Sequence, residues 1–289
     1  MSDALERTLH ASAPLRRLGW RVGRRLYCAA RGEPCRNAIA SNGEAYVQAC
    51  VVAALPATAA LTALDIGANE GEWTLSLLDA LSAAGREWQG TRIRSFEPVP
   101  ATLARLRSAV DRHELGRLVS LQPVALSDTA ARVEMTIMST TGGTNTLHGG
   151  GDAPATGSRL EIQTITLDAF CAQEGIAHIH LAKADTEGHD ARVLRGAHAM
   201  LTAGRVDVFQ FEYNHRWVFA RSFLKDVFDM IAGLDYVAAR ITPDSIELLP
   251  AWHPELERFF EANYVLVRRP ALAWFTVRHG HFDGSNTYA

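Results

Sequence analysis

Cysteine is sparse. The 289 residues hold four, Cys28, Cys35, Cys50 and Cys171, with no CxxC pair and no dense spacing. A disulfide framework is excluded, and a reducing cytoplasmic setting is expected. Long apolar runs are missing too. The most apolar stretch, 45–64, is broken at Pro56 and runs into Asp65, so it reads as a helix, a turn and a buried strand, with no transmembrane segment. The opening "MSDALERTLHASAP" lacks the apolar core of a secretory leader. An excess of positive charge is absent as well: the formal net charge is −3, and no nucleic-acid partner is expected. There are no internal repeats. What remains is a chain with 47% hydrophobic residues, enough for one large domain with an appendage.

Charge is unevenly placed. Residues 1–40 carry eight arginines against Asp3, Glu6 and Glu33, a net of +5, which leaves −8 for the rest. Leu15, Leu18, Val22 and Leu26 share one helical face, with arginines on the others. We read 1–45 as a basic helical arm and 46–289 as the main domain. The arm is expected to dock on that domain or on a partner subunit, with a homodimer possible. Attachment to an anionic membrane surface is the other reading.

From Thr62 onward, apolar runs alternate with helical patterns. Strands are expected at 63–67, 92–96, 118–124, 178–184, 206–212, 236–241 and 263–269. Buried strands separated by helices imply an α/β fold with a mostly parallel sheet. "RVEMTIMST" and "RLEIQTITL" form an expected hairpin insertion at about 130–165, joined by a Gly-rich loop.

"LDIGANEGEWT" places Asp65, Gly67, Asn69 and Gly71 at alternate positions after an apolar strand. Glycines there permit a tight turn and close backbone approach, and Asn69 tolerates positive φ. Glu97 ends the next strand, 26 residues after Gly71. A Gly-rich turn followed by an acid at that separation suits the ribose of an adenosine-containing ligand. NAD and S-adenosylmethionine both fit. Glu70 inside the turn would repel a pyrophosphate but tolerate a sulfonium and an ammonium, which favours S-adenosylmethionine; an NAD-dependent oxidoreductase or a catalytically silent binding module is the alternative.

"AKADTEGHDARVL" (182–194) then crowds Asp185, Glu187, His189 and Asp190 where a buried strand stops. With the preceding motifs, "SFEPVPATLARL", "VALSD", "ITLDAF" and "FQFEYN", it resembles the FkbM-type methyltransferases over roughly residues 60–215. The resemblance implies a seven-stranded class I methyltransferase (Rossmann-like) fold with helices on both faces, S-adenosyl-L-methionine as donor, and a hydroxyl acceptor, often on a sugar or natural product. Carried over, Asp65, Gly67, Asn69 and Gly71 line the methionine end. Glu97 holds the ribose, Ala125 and Asp128 flank the adenine, and Asp185 sits near the transferred methyl. The family block ends D-x-E-G-x-E after an apolar residue; here His189 and Asp190 occupy those places.

An alcohol must lose its proton to become a good nucleophile. Three assignments for "DTEGHD" stay open. Asp185 or Glu187 caps a helix, with Asp190 adding charge to its first turn. Asp185, Glu187 and Glu212 bind Mg2+. Or a base removes the proton, with His189 and Asp185 as first choices, and Glu187 and His215 as further catalytic candidates. Lys183, on a strand, is expected to point to the face opposite its immediate neighbours. His178 and His180 share a face with no acid or cysteine at zinc spacing. Trp217, Phe219 and Phe223 read as a core stripe.

Overall fold

The computed structural model describes residues 3–32, 38–85, 87–137 and 158–279. In chain order its helices and strands are α1 (Asp3–Ala11), α2 (Ala13–Ala30), α3 (Ile39–Asn42), α4 (Glu44–Ala54), β1 (Thr62–Ile66), α5 (Glu72–Ala83), β2 (Arg92–Phe96) and α6 (Pro100–Asp111). Next come β3 (Val119–Gln122), β4 (Ala125–Leu126), β5 (Ala131–Ile137), β6 (Ser158–Ile165), α7 (Leu167–Glu174), β7 (Ile179–Ala184), α8 (Asp190–Arg195) and α9 (His198–Thr202). Last are β8 (Val206–Tyr213), α10 (Leu224–Ile231), β9 (Tyr236–Thr242), β10 (Ser245–Leu249), β11 (Ala262–Arg268) and β12 (Val277–His279).

Nine strands form one sheet in the order β12-β10-β9-β11-β8-β7-β1-β2-β3. The run β3-β2-β1-β7-β8 is parallel, and β11 enters antiparallel between β8 and β9. This is the class I methyltransferase-like architecture that the resemblance implied, with all seven expected strands present. Two strands extend it. The turn after Thr242 folds β10 back on β9, and the three-residue β12 closes the edge. A separate three-stranded sheet, β4-β6-β5, contains the expected hairpin, β5 against β6. Most of the expected Gly-rich loop lies in 138–157, outside the described residues.

Strand alternation splits the core in two. Leu64 and Ile66 of β1 face a cluster with Phe170, Leu194, Phe209, Phe211 and Trp217. Ala63 joins the opposite cluster, where Val47 and Val51 of α4 and Trp73 and Leu77 of α5 cover the sheet. That second face also carries a buried polar row. Parallel register sets Ser95 beside Asp65, Asp65 beside Lys183, and Lys183 beside Gln210. Thr74 of α5 donates to Asp65 Oδ2 at 2.6 Å, and Gln210 donates to Glu44 Oε2 of α4 at 2.8 Å. Glu44 thus belongs to the sheet domain, and the 45/46 division drawn from charge falls inside α4.

The arm is a helical pair, α1 against α2, with Leu9 packed on Gly19. It meets the domain at the end of α2: Tyr27 donates to Glu255 at 2.7 Å, Arg31 donates to the Glu255 carbonyl at 2.7 Å, and Arg24 stacks on Phe260. The aromatic stripe holds only in part. Trp217 is buried, but Arg221 takes positive φ (52°), helical spacing ends, and Phe219 and Phe223 stay exposed.

Candidate active site

After β1 the chain turns through Gly67, Asn69 and Gly71 at φ 82°, 47° and 95°. A Cβ on Gly67 would collide with the Asp185 carbonyl oxygen, so a glycine is required for the tips of β1 and β7 to approach. Beyond these tips opens a cleft of about 580 Å³, lined by Gly67, Asn69, Glu97, Ala125, Asp185 and His189, with Thr186 and Glu187 on its rim. Met135 of β5 also lines it, so the hairpin insertion supplies a wall. Asp65 lies behind this cleft, fully buried, with Oδ1 lacking a hydrogen-bond donor among the described residues. Gly71 caps the N-terminus of α5. Asp128 does not line the cleft; its carboxylate lies 3.8 Å from Arg192.

The first cleft fits an adenosine-bearing ligand. Glu97 is buried at the tip of β2, and Oε1 accepts the Val99 amide at 2.8 Å, which fixes the carboxyl toward the cleft. Burial pushes its pKa up to about 7 against the pull of the Val99 and Asn69 amides. Ala125, Leu126, Phe96 and Met135 offer apolar surface for a base.

A second cleft of about 810 Å³ adjoins the first and shares Asp185 and Glu187 with it. Glu44, Glu72, Glu212 and Glu261 also line it, and Arg216 is its one basic lining residue among those described. Lys183 Nζ sits 3.1 Å from Asp185 and 4.0 Å from Glu44. As expected, Lys183 points away from its immediate neighbours, Ala182 and Ala184, which join the first core cluster; it shares a face with Asp185, two residues on. Burial works against the ammonium, but Asp185, Glu44 and Asp65 outweigh it and raise its pKa, so it stays charged at neutral pH.

Glu187 takes positive φ (55°) and pairs with Arg216 at 2.7 Å. Burial and the Asp185 charge push it up to about 8, with Arg216 opposing. Asp190 is fully buried in the first turn of α8, as expected for helix charge, and burial plus Asp185 push it up to about 7. Neither Asp185 nor Glu187 caps that helix; His189 occupies the cap position without a side-chain cap bond. Burial, with repulsion from Asp185 and Asp190, raises Glu212 well above its ordinary value.

These shifts predict an unusual stability profile. Between pH 5 and 8 the folded chain holds protons on Glu97, Glu187 and Asp190 that the unfolded chain has lost, so stability falls as pH rises. Burial lowers the pKa of His180, which opposes this, but with one group against three. The melting temperature, followed by circular dichroism, is expected to be lower at pH 8 than at pH 5.5; a rising profile would contradict these assignments.

The Mg2+ reading does not fit. The carboxylates of Asp185, Glu187 and Glu212 are taken up by Lys183, Arg216 and, at 2.6 Å, Asn214. Among the described residues, the group of three ligand-type side chains whose donor atoms fall within 4.8 Å of one another is His178, His180 and Asp207, at the other end of the strands. The acid partner of these histidines stands far off in sequence; the fold brings Asp207 to 2.6 Å from His178. Its atoms are engaged: Arg268 donates to Asp207 at 2.7 Å, and the Thr62 amide donates to His180 Nδ1 at 3.0 Å. It is an ion-pair network between strand ends.

Two further placements matter. His189 Nε2 lies 2.9 Å from the Ser127 hydroxyl, on the first cleft and away from the second. His215 is exposed at the start of a 3-10 turn and lines neither cleft. Glu70 does not face the first cleft; it pairs with Arg105 at 2.8 Å, so its charge is not the one a pyrophosphate would meet. Glu72, in the first turn of α5, lines the second cleft.

A family model described as the methyltransferase FkbM domain matches residues 65–238. A curated relative, 31-O-demethyl-FK506 methyltransferase FkbM from Streptomyces tacrolimicus, is 31% identical over 162 residues, which span 46% of this chain and 57% of the relative's length. The chain therefore matches little more than half of that protein. Among solved structures, methyltransferase FkbM from Methylobacillus flagellatus KT is similar at 16% identity and a TM-score of 0.44, covering 71% of this chain and 43% of its own. Cofactor-bound Rv0187 from MTB is similar at 15% identity and a TM-score of 0.42, covering 86% and 89%. With the FkbM model spanning more than half of its residues, from the Gly-rich turn into β9, the chain belongs to the FkbM methyltransferase domain family.

Proposed function

We propose that the chain is an S-adenosylmethionine-dependent O-methyltransferase whose acceptor is a neutral or amine-bearing alcohol, such as a sugar or another small natural product. The observation that carries this is the meeting of the two clefts at Asp185. When bound, S-adenosylmethionine supplies an electrophilic methyl group. Glu97 would accept the ribose hydroxyls. Ala125, Leu126 and Met135 would cover the adenine, with His189, steadied by Ser127, closing that wall. Gly67 and Asn69 would leave room for the methionine end. Asp185 and Glu187 both reach the two clefts; Glu187 is paired with Arg216 and pushed up to about 8, which leaves Asp185 as the group to take the acceptor's proton while the donor is held in line. Lys183 positions its carboxylate. An oxygen acceptor agrees with the Streptomyces relative, which is named for 31-O-demethyl-FK506.

The second cleft narrows the acceptor class. Six carboxyl groups line this cleft; burial raises Glu187 and Glu212 toward their protonated forms, and Lys183 and Arg216 offset part of the remaining charge, so the cleft is acidic and hydrogen-bonding, which disfavours phosphates and carboxylates and suits hydroxyls or an amine. Incubation with methyl-labelled donor and a panel of neutral glycosides, amino sugars, macrolides and nucleotide sugars, read by mass spectrometry, tests the proposal. Label is expected on neutral or amine-bearing alcohols. Label on nucleotide sugars alone would overturn the acceptor class, and label on nitrogen or carbon would overturn O-methylation.

Glu97→Gln is expected to weaken S-adenosylhomocysteine binding roughly ten- to a hundredfold, because a charge-assisted hydrogen bond of about 1.5–3 kcal/mol is lost. Calorimetric titration measures it. Unchanged affinity in a folded variant would remove Glu97 from the donor site.

A further inference from the structure

Helix α2 has no buried residue. Leu15, Leu18, Val22 and Leu26 recur at helical spacing, and Leu18 and Leu26 are 58% and 66% exposed. Trp20 is 71% exposed. Arg16, Arg17, Arg21 and Arg25 occupy the rest of the surface, with no acid anywhere in the helix. Among the described residues, the hydrogen bonds and ring contacts that fasten the helix to the domain lie toward its C-terminal end, where Arg24, Tyr27 and Arg31 grip Glu255 and Phe260.

We propose that α2 is a docking surface for an anionic lipid bilayer, lying in the interface with Leu15, Leu18, Val22 and Leu26 toward the acyl chains and its arginines on the headgroups. Two observations select a membrane over a second copy of the chain. An arm-on-arm dimer would face the Arg16, Arg17, Arg21 and Arg25 cluster with its own symmetry mate, a like-charge contact. An anionic surface instead matches an arm of net +5 on a protein whose remainder carries −8. An apolar stripe with flanking arginines is also the composition of a helix that lies in an interface. No described helix is long and apolar enough to cross the bilayer, so docking is peripheral.

Co-sedimentation of the full chain with vesicles of phosphatidylcholine alone, or of phosphatidylcholine with phosphatidylglycerol, tests this. Partitioning is expected to be roughly tenfold or more stronger on the anionic vesicles, and to fall with added salt. The double variant Leu18→Glu/Leu26→Glu should lose binding with its circular dichroism melt unchanged, since both side chains are mostly exposed. A variant with Arg16, Arg17 and Arg21 changed to Gln should lose the lipid-charge preference. Absence of binding at low salt would overturn the proposal, as would binding that ignores lipid charge or survives both variants. Light scattering that shows a parent dimer dissociated by Leu18→Glu/Leu26→Glu would assign the face to a second copy instead.

Discussion

Asp185→Asn is expected to lower turnover by about 10²–10⁴-fold, the range for losing a positioned general base. Asn is nearly isosteric and cannot take the acceptor's proton. The substitution leaves the fold in place, because Lys183 keeps Glu44 at 4.0 Å and the Asp65 charge as buried counterions. Donor affinity should change little, since the ribose and adenine contacts lie elsewhere in the first cleft. Single-turnover kinetics with a methylated acceptor as readout, beside calorimetry with S-adenosylhomocysteine, separates the two. His189→Ala serves as the contrast: it should weaken donor binding more than it slows the chemical step. A fully active Asp185→Asn variant would move the base to another residue.

Lys183→Met should destabilise the chain by about 3–5 kcal/mol, the cost of removing one partner from a buried charge group. The chain has two lysines, and this one is buried among Asp65, Asp185 and Glu44. Without it these carboxyls must take up protons to stay buried, so the penalty should be larger at pH 8 than at pH 5. Urea unfolding at the two pH values measures both effects. Equal stability of variant and parent at pH 8 would show that the ammonium is not the counterion of this row.

The parts of the site legible in the sequence were those set by local chemistry. The Gly67–Asn69–Gly71 turn announces itself because positive φ restricts residue choice, and Glu97 because an acid ending an apolar strand is conspicuous. The strands β7 and β8 were plain as continuous buried runs. What the sequence did not show is what strand order brings together. Glu44 reaches Gln210 across 166 residues, and Asn263 reaches Glu44 across 219; no local pattern encodes either contact. Met135 joins the first cleft through a hairpin whose placement depends on β4 pairing β6. His178 looked solitary because its acid, Asp207, lies on the neighbouring strand. Phe219 and Phe223 kept an apparent helical period through a segment that is not a helix, and β12, three residues with a polar end, was too short to stand out.

The central claim is that the first cleft holds S-adenosylmethionine. Calorimetric titration of the intact chain with S-adenosylhomocysteine, and separately with NAD, tests it most directly. The account predicts saturable one-site binding of S-adenosylhomocysteine and none of NAD. Binding of NAD without S-adenosylhomocysteine would contradict it.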